Sequence, residues 1–559
     1  YFASCGAVLE VGAASDAQCS DWEARVREIL LAMDWPEPSV AADRHASGAS
    51  LAFSAPIDQL FTATEINECC WQSVACQTLA LPLPMAPAHP ATWDFDSALH
   101  TLRKFAAVET RRDVVTLLAI AAQHGLPAFY DDDALSIGAG QGSCTWSLDA
   151  LPANLADVDW TALHDIPTVL VTGSNGKTTT VRLLAAMFRA AGLKSGFNCT
   201  DGVFIDGEQV QRGDYSGPSG ARQVLRDKRV QAAVLETARG GILRRGLAVQ
   251  HAHAGIVTNV SADHFGEYGV HDLARLADAK LVLARAIGVD GVLVLNADDP
   301  LLVSKSASLS CPLAWFSLDD ARPWMDEQRR RGAATCGLSE GVLWLELHGI
   351  RHRLGDMAGM PLAISGSARY NVANIAGASL LAALMGIEAE AIASVLASFG
   401  SDRADNPGRL ERWTINGASV FLDYAHNPEG ISGLLEVANR VREQSGGRLG
   451  LLLGQAGNRD DHAIAELARA AAAGNPDLIV LKDLEGYLRG RALGEVPALL
   501  HAELRRRGVA EASLRTILPE VEAAQEILAW SLPGDVLVLP VHNLAARAAL
   551  VDCLDRAGS

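Results

Sequence analysis

Val169-Leu-Val-Thr-Gly-Ser-Asn-Gly-Lys-Thr-Thr-Thr180 decides the fold. Thr168 to Thr172 is a β-branched, apolar run of the kind buried in a parallel sheet, and Val181 to Ala190 has the pattern of a helix. The turn between them is built as a triphosphate seat. Gly173 and Gly176 let the backbone approach phosphate oxygens, and Ser174, Asn175 and Thr179 complete the loop beside the open N–H groups of the helix start. Lys177 can reach the outer phosphates, and the Thr178 hydroxyl can ligate magnesium. The strict pattern G-x-x-x-x-G-K-[ST] asks for Gly at position 171, where this chain has Val, so the context carries the reading.

Working outward, the chain has 559 residues, of which 49% are hydrophobic and 20% charged. That is enough for about three or four domains with cores of their own. The net charge of -19 argues against nucleic acid and anionic membranes as partners. No apolar run reaches membrane-spanning length, and Tyr1-Phe-Ala-Ser-Cys lacks the basic flank of a signal peptide. Ten scattered cysteines with no C-x-x-C read as reduced, buried thiols of a cytoplasmic enzyme. The start at Tyr1 suggests that numbering begins inside the natural reading frame.

Three regimes follow one another, and together they predict an α/β protein. Residues 1–165 form an N-terminal domain of mixed α/β character with helical stretches such as Asp21 to Met33 and Ser97 to Gln123, ending in the loop-like Ile137 to Gly142. Residues 166–405 alternate short apolar runs with helical patterns, which predicts a P-loop central domain with a parallel sheet. Its strands include Ala232 to Leu235, Ala254 to Val257 and Gly291 to Leu295. Residues 406–559 begin a second alternating series at Asn406-Pro-Gly408, with strands at Ser419 to Leu422, Leu449 to Leu453, Leu478 to Leu481 and Val536 to Leu539. This predicts a Rossmann-like C-terminal domain, with a hinge at Asp402 to Pro407.

In open parallel sheets ligands gather at the carboxyl ends of strands. Glu236 ends one such strand and is placed to hold magnesium beside Thr178. Asn259, Asp263 and His264 follow another in the same way.

Five ordered segments now carry a resemblance: Thr172 to Thr179, Thr258-Asn-Val-Ser-Ala-Asp-His264, Asn296-Ala-Asp-Asp-Pro300, Pro407-Gly-Arg409 and Asp423-Tyr-Ala-His-Asn-Pro428. Together they resemble the Mur ligase superfamily of ATP-dependent amide ligases. Gly213 to Ser219, Val234 to Arg244 and Lys482 to Glu495 are most similar to the C-terminal ligase half of the cyanophycin synthetases. About 165 residues precede the phosphate loop, too few for the complete ATP-grasp domain of those enzymes, so a single-ligase relative is expected.

The resemblance implies that ATP phosphorylates a substrate carboxylate and that an amine then attacks the acyl phosphate, with an amino acid or peptide as substrates. One Mg2+ would sit at Thr178 and Glu236 and a second at His264, with Lys177 completing the clamp. Lys280 matches the lysine that many Mur ligases carry as a carbamate; its alternative reading is a plain surface lysine. Asn374 resembles the asparagine near the adenine, Arg409 the phosphate-side arginine and Asp423 the ribose-side aspartate. Tyr215, Ser216, Ser219, Arg222, Arg239 and Arg244 fall in the acceptor-side segments, and Lys482 to Glu485 with Arg489 and Arg491 offer both charge signs to an incoming amino acid. A homo-oligomer is expected. A folate- or peptidoglycan-type ligase and a noncatalytic nucleotide-binding partner stay open as alternatives.

Overall fold

The structure is a computed structural model that describes residues 4–35, 38–78, 94–263, 265–484 and 486–558. Its centre is an eleven-stranded sheet. Seven parallel strands run in the order Ser195–Cys199, Ala232–Glu236, Thr168–Thr172, Ala252–Val257, Ile287–Asn296, Leu313–Ser317 and Thr335–Ser339. Antiparallel strands extend both edges, Gly202–Ile205 and Glu208–Arg212 on one side, Val342–Leu347 and Ile350–Asp356 on the other. The phosphate strand and its neighbour Ala232–Glu236 are buried at every residue. Burial on both faces is why their sequences are continuous apolar runs rather than alternating ones.

Helices Lys177–Ala190 and Arg369–Leu384 pack together on one face of this sheet, sharing a core with Val169, Val171 and Ile256. A second core around Leu170, Leu235 and Val224 closes the other face. The C-terminal sheet has six strands in the order Glu411–Ile415, Ala418–Asp423, Val536–Pro540, Leu449–Leu453, Leu478–Leu481 and Leu514–Thr516, parallel except for the first. Apolar clusters cover both of its faces, giving a Rossmann-like three-layer unit.

At the N-terminus an antiparallel sheet, Gly6–Gly12, Val40–His45 and Gly48–Ser54, packs on helices around a core containing Trp22, Phe53 and Ile66. A smaller sheet follows, made of Ala128–Tyr130, Ala134–Ile137 and Cys144–Ser147. The single helical stretch expected over Ser97 to Gln123 is two helices, Phe95–Glu109 and Arg112–Gln123. Tertiary contacts make the break: Glu109 accepts from the N–H groups of Phe61 and Thr62 at the start of helix Leu60–Thr78, and the Arg111 N–H donates to Asp58 at 2.9 Å. Among the described residues, no helix is long and apolar enough to cross a membrane.

Candidate active site

The carboxyl ends of the central strands meet the start of the C-terminal sheet around a cleft of about 760 Å³. Gly173 and Gly176 take φ of +154° and +83°. A Cβ on either would come within 1.8 Å of the Thr258 hydroxyl or 2.1 Å of the Asn374 side-chain oxygen, so only glycine fits between the loop and its supports. The loop is braced from the next strand: Asn259 accepts from the Asn175 N–H at 2.9 Å, Thr258 donates to the Asn175 carbonyl at 2.6 Å, and the Ser174 hydroxyl donates to the Ser261 carbonyl at 2.9 Å. Lys177 Nζ arches back to the carbonyls of Gly173 and Ser174 at 3.0 and 3.1 Å.

At the cleft floor the Thr178 hydroxyl donates to Glu236 at 2.8 Å, and Thr200 donates to the other Glu236 oxygen at 3.3 Å. Glu236 is 1% exposed. Burial raises its pKa, against the pull of Lys177, Thr178 and Arg409. A carboxylate held in a low-dielectric pocket beside a hydroxyl is short of positive charge, which is the donor set a hard divalent cation takes.

The far wall comes from the linker and the C-terminal sheet. Arg409 stacks over the Tyr424 ring at 4.5 Å, and Asp423 accepts from the N–H groups of Leu410 and Ala425, both at 2.7 Å. Asn427 donates to the Asn175 side chain at 2.9 Å, and Asn175 donates to Glu429 at 2.9 Å, so the C-terminal unit grips the phosphate loop directly. Asn374 and Tyr370 also line the cleft. The site thus gathers Ser174, Asn175, Gly176, Lys177, Thr178, Thr179, Glu236, Asn374, Arg409 and Asp423 from five separate places in the chain.

Other expected residues lie around it. Lys280 is 3% exposed, which rules out the surface-lysine reading, and burial drives its pKa well down, with Lys177 and Arg239 adding to the effect. Ser216 is buried and donates to Asp214 at 2.6 Å; Tyr215 is joined to the Glu236 strand end through Asn198, and Ser219 is exposed. Arg239 is buried and paired with Glu267 at 2.6 Å. Arg222 is ion-paired with Asp131 of the small sheet at 3.2 Å, beside Arg226, which gives it a structural partner. Arg244 donates to the Gly240 carbonyl at 3.1 Å on its own helix. Lys482 is wholly buried against Glu520 and His542, and Arg491 is engaged by Asp461 and Glu495, so neither is offered to an incoming amino acid. Arg489 is exposed. His264 and Glu485 lie outside the described residues.

Sequence reasoning missed an ionic knot. The Asp201 carboxylate, 6% exposed, binds Arg182 at 2.8 Å and Arg547, with Arg409 at 3.7 Å. Arg182 also donates to the Pro407 carbonyl at 2.8 Å and to Asn406 at 3.2 Å. Residues far apart in the chain meet here, and apart from Arg409 no local pattern marks them.

The Mur ligase middle domain family matches residues 171–382, and the Mur ligase, glutamate ligase domain family matches residues 408–540. The chain belongs to the Mur ligase family. Among its relatives, this Mur ligase is 35% identical over 391 residues to a cyanophycin synthetase of Geminocystis herdmanii, covering 69% of this chain and 44% of that protein. It is 28% identical over 394 residues to the UDP-N-acetylmuramoyl-L-alanyl-D-glutamate–2,6-diaminopimelate ligase of Corynebacterium glutamicum, covering 67% and 70%. The chain therefore spans less than half the length of the cyanophycin synthetase it matches. The Mycobacterium tuberculosis folylpolyglutamate synthase solved with ADP shares the Mur ligase fold at TM-score 0.50 and 19% identity, covering 70% of this chain and 91% of that one.

Proposed function

We propose that this Mur ligase joins a substrate carboxylate to an amino-acid amine in an ATP-dependent amide bond, in the manner of the ligase half of a cyanophycin synthetase. The observation that carries the reading is the pairing of Thr178 with the buried Glu236 in one cleft with Lys177, Arg409 and Asp423. The phosphate loop and the helix start Lys177–Ala190 would hold the triphosphate, Asn374 the adenine side and Asp423 the ribose side. Thr178 and Glu236 would hold magnesium, which supplies charge neutralisation at the transferring phosphoryl group when bound.

An acceptor carboxylate oxygen attacks the γ-phosphorus, the bond to the bridging oxygen breaks, and ADP leaves. The amine nitrogen then attacks the carbonyl carbon of the acyl phosphate, loses a proton, and expels phosphate. Lys177 and Arg409 bring positive charge from opposite walls to the phosphoryl group. The grip of Asn427 and Glu429 on Asn175 ties the C-terminal unit to the phosphate loop, and tighter closure through these bonds would keep water from the acyl phosphate. Lys280, carbamylated, would add an anionic group near Lys177. We carry an amino acid or peptide carboxylate as the substrate class, on the resemblance to the cyanophycin synthetases.

Mass spectrometry of products from an Mg-ATP screen of amino-acid and peptide pairs tests the reading. A new amide with stoichiometric phosphate, absent in Lys177→Ala, is expected. No phosphate release with any pair would overturn it.

A further inference from the structure

The turn Glu267-Tyr268-Gly269-Val270 is strained. Tyr268 and Gly269 have φ of +51° and +71°, and the turn closes through Val270 N–H to Glu267 carbonyl at 3.1 Å. Two successive left-handed residues make a type I′ turn, where Asn-Gly is the easy sequence and a tyrosine in first place costs energy. Such a conformation persists only where the surroundings over-determine it.

Those surroundings include the N-terminal sheet. The hairpin between Val40–His45 and Gly48–Ser54 reaches across to the central unit. The His45 ring, 3% exposed, lies so close over Gly269 that a Cβ there would be 2.8 Å from His45 Cδ2. His45 is itself fixed, with Ser47 Oγ at 2.9 Å from Nδ1 and Glu10 at 3.3 Å from Nε2. Ser47 Oγ also lies 3.2 Å from His271 Nε2. Arg275 donates to both oxygens of Asp43, at 2.8 and 3.3 Å.

Two links run from this turn toward the chemistry. Glu267, the first residue of the turn, holds Arg239 at 2.6 Å and accepts from Asn458 of the C-terminal unit at 2.7 Å. Asp272 caps helix Leu273–Leu281, whose buried face carries Lys280. We infer that the N-terminal hairpin is a positioning element for the acceptor half of the site: Asp43 and His45, acting through Arg275 and the strained turn, set Arg239 and the helix of Lys280. This rests on the ligase reading for what the positioned groups do, and on geometry alone for the positioning.

The test uses the full chain with Asp43→Arg, a surface change that puts like charge against Arg275, and with the swapped pair Asp43→Arg/Arg275→Asp. Hydrogen exchange needs no turnover. In Asp43→Arg, peptides covering 265–275 are expected to exchange several-fold faster, those covering 173–179 at the original rate, with Mg-ADP affinity unchanged; the swapped pair restores protection. In the ligase assay the acceptor KM rises several-fold while the ATP KM holds. Unchanged exchange at 265–275, or equal loosening of the phosphate loop, overturns the proposal. A chain that makes no amide but shows the local, rescued exchange change keeps the positioning and refutes only the ligase reading. His45→Ala is the second variant and is expected to loosen the same segment.

Discussion

Thr178 donates its hydroxyl hydrogen to Glu236 at 2.8 Å on the floor of the cleft. Burial raises the pKa of Glu236, so its charged form costs the free protein stability at any pH above the ordinary carboxylate range. Glu236→Gln is therefore expected to raise the Tm of the nucleotide-free protein at pH 7. The same change should weaken magnesium-dependent ADP binding at least tenfold, about 1.4 kcal/mol. Calorimetry with and without Mg-ADP reads both effects; a lower Tm with unchanged ADP affinity would dismiss the metal-site role.

Asp201 makes the opposite prediction. Burial alone would raise its pKa, but Arg409, Arg182 and Arg547 outweigh that and bring it to about 2 from 3.8. A depressed carboxyl contributes stability that is whole above the unfolded value and lost as pH falls through the folded one. Asp201→Asn strands three guanidinium groups and should cost about 3 kcal/mol at neutral pH. The gap between the two proteins in chemical denaturation should stay constant from pH 7 to 4 and shrink toward pH 2.

Asn175 is the point where the C-terminal unit touches the phosphate loop. Asn175→Ala removes the bonds to Asn427 and Glu429, and turnover should fall roughly tenfold while the ATP KM changes little. Looser closure admits water to the acyl phosphate, so phosphate released per amide formed should rise above one. A ratio that stays at one would mean that these bonds do not guard the intermediate.

Lys280 is buried and burial drives its pKa well down, which favours the neutral amine form that takes up carbon dioxide. Protein equilibrated with 13C-bicarbonate is expected to show a single carbamate carbon resonance that Lys280→Ala abolishes. A spectrum without it would dismiss the carbamate reading of Lys280.

Much of this was legible in the sequence because the central strands are buried on both faces. Thr168–Thr172, Leu449–Leu453 and Leu478–Leu481 announce themselves as unbroken apolar runs with polar residues at their carboxyl ends. Glu208–Arg212 was missed for the converse reason: an edge strand with mostly exposed side chains carries no apolar pattern. Charge is harder to read, since a lone Arg or Lys does not show its partner. Arg222 and Lys482 looked available to substrate and are spent on Asp131 and Glu520, while Arg182, Asp201 and Arg547 meet only after folding.

Phosphoryl transfer to an acceptor carboxylate in the cleft between Glu236 and Arg409 is the step on which the proposed function stands. The most direct measurement is the fate of 18O placed in that carboxylate, followed by mass spectrometry of the phosphate released during amide formation with Mg-ATP. One 18O is expected in each phosphate, with ADP as the nucleotide product. Unlabelled phosphate, or AMP with pyrophosphate, would contradict it.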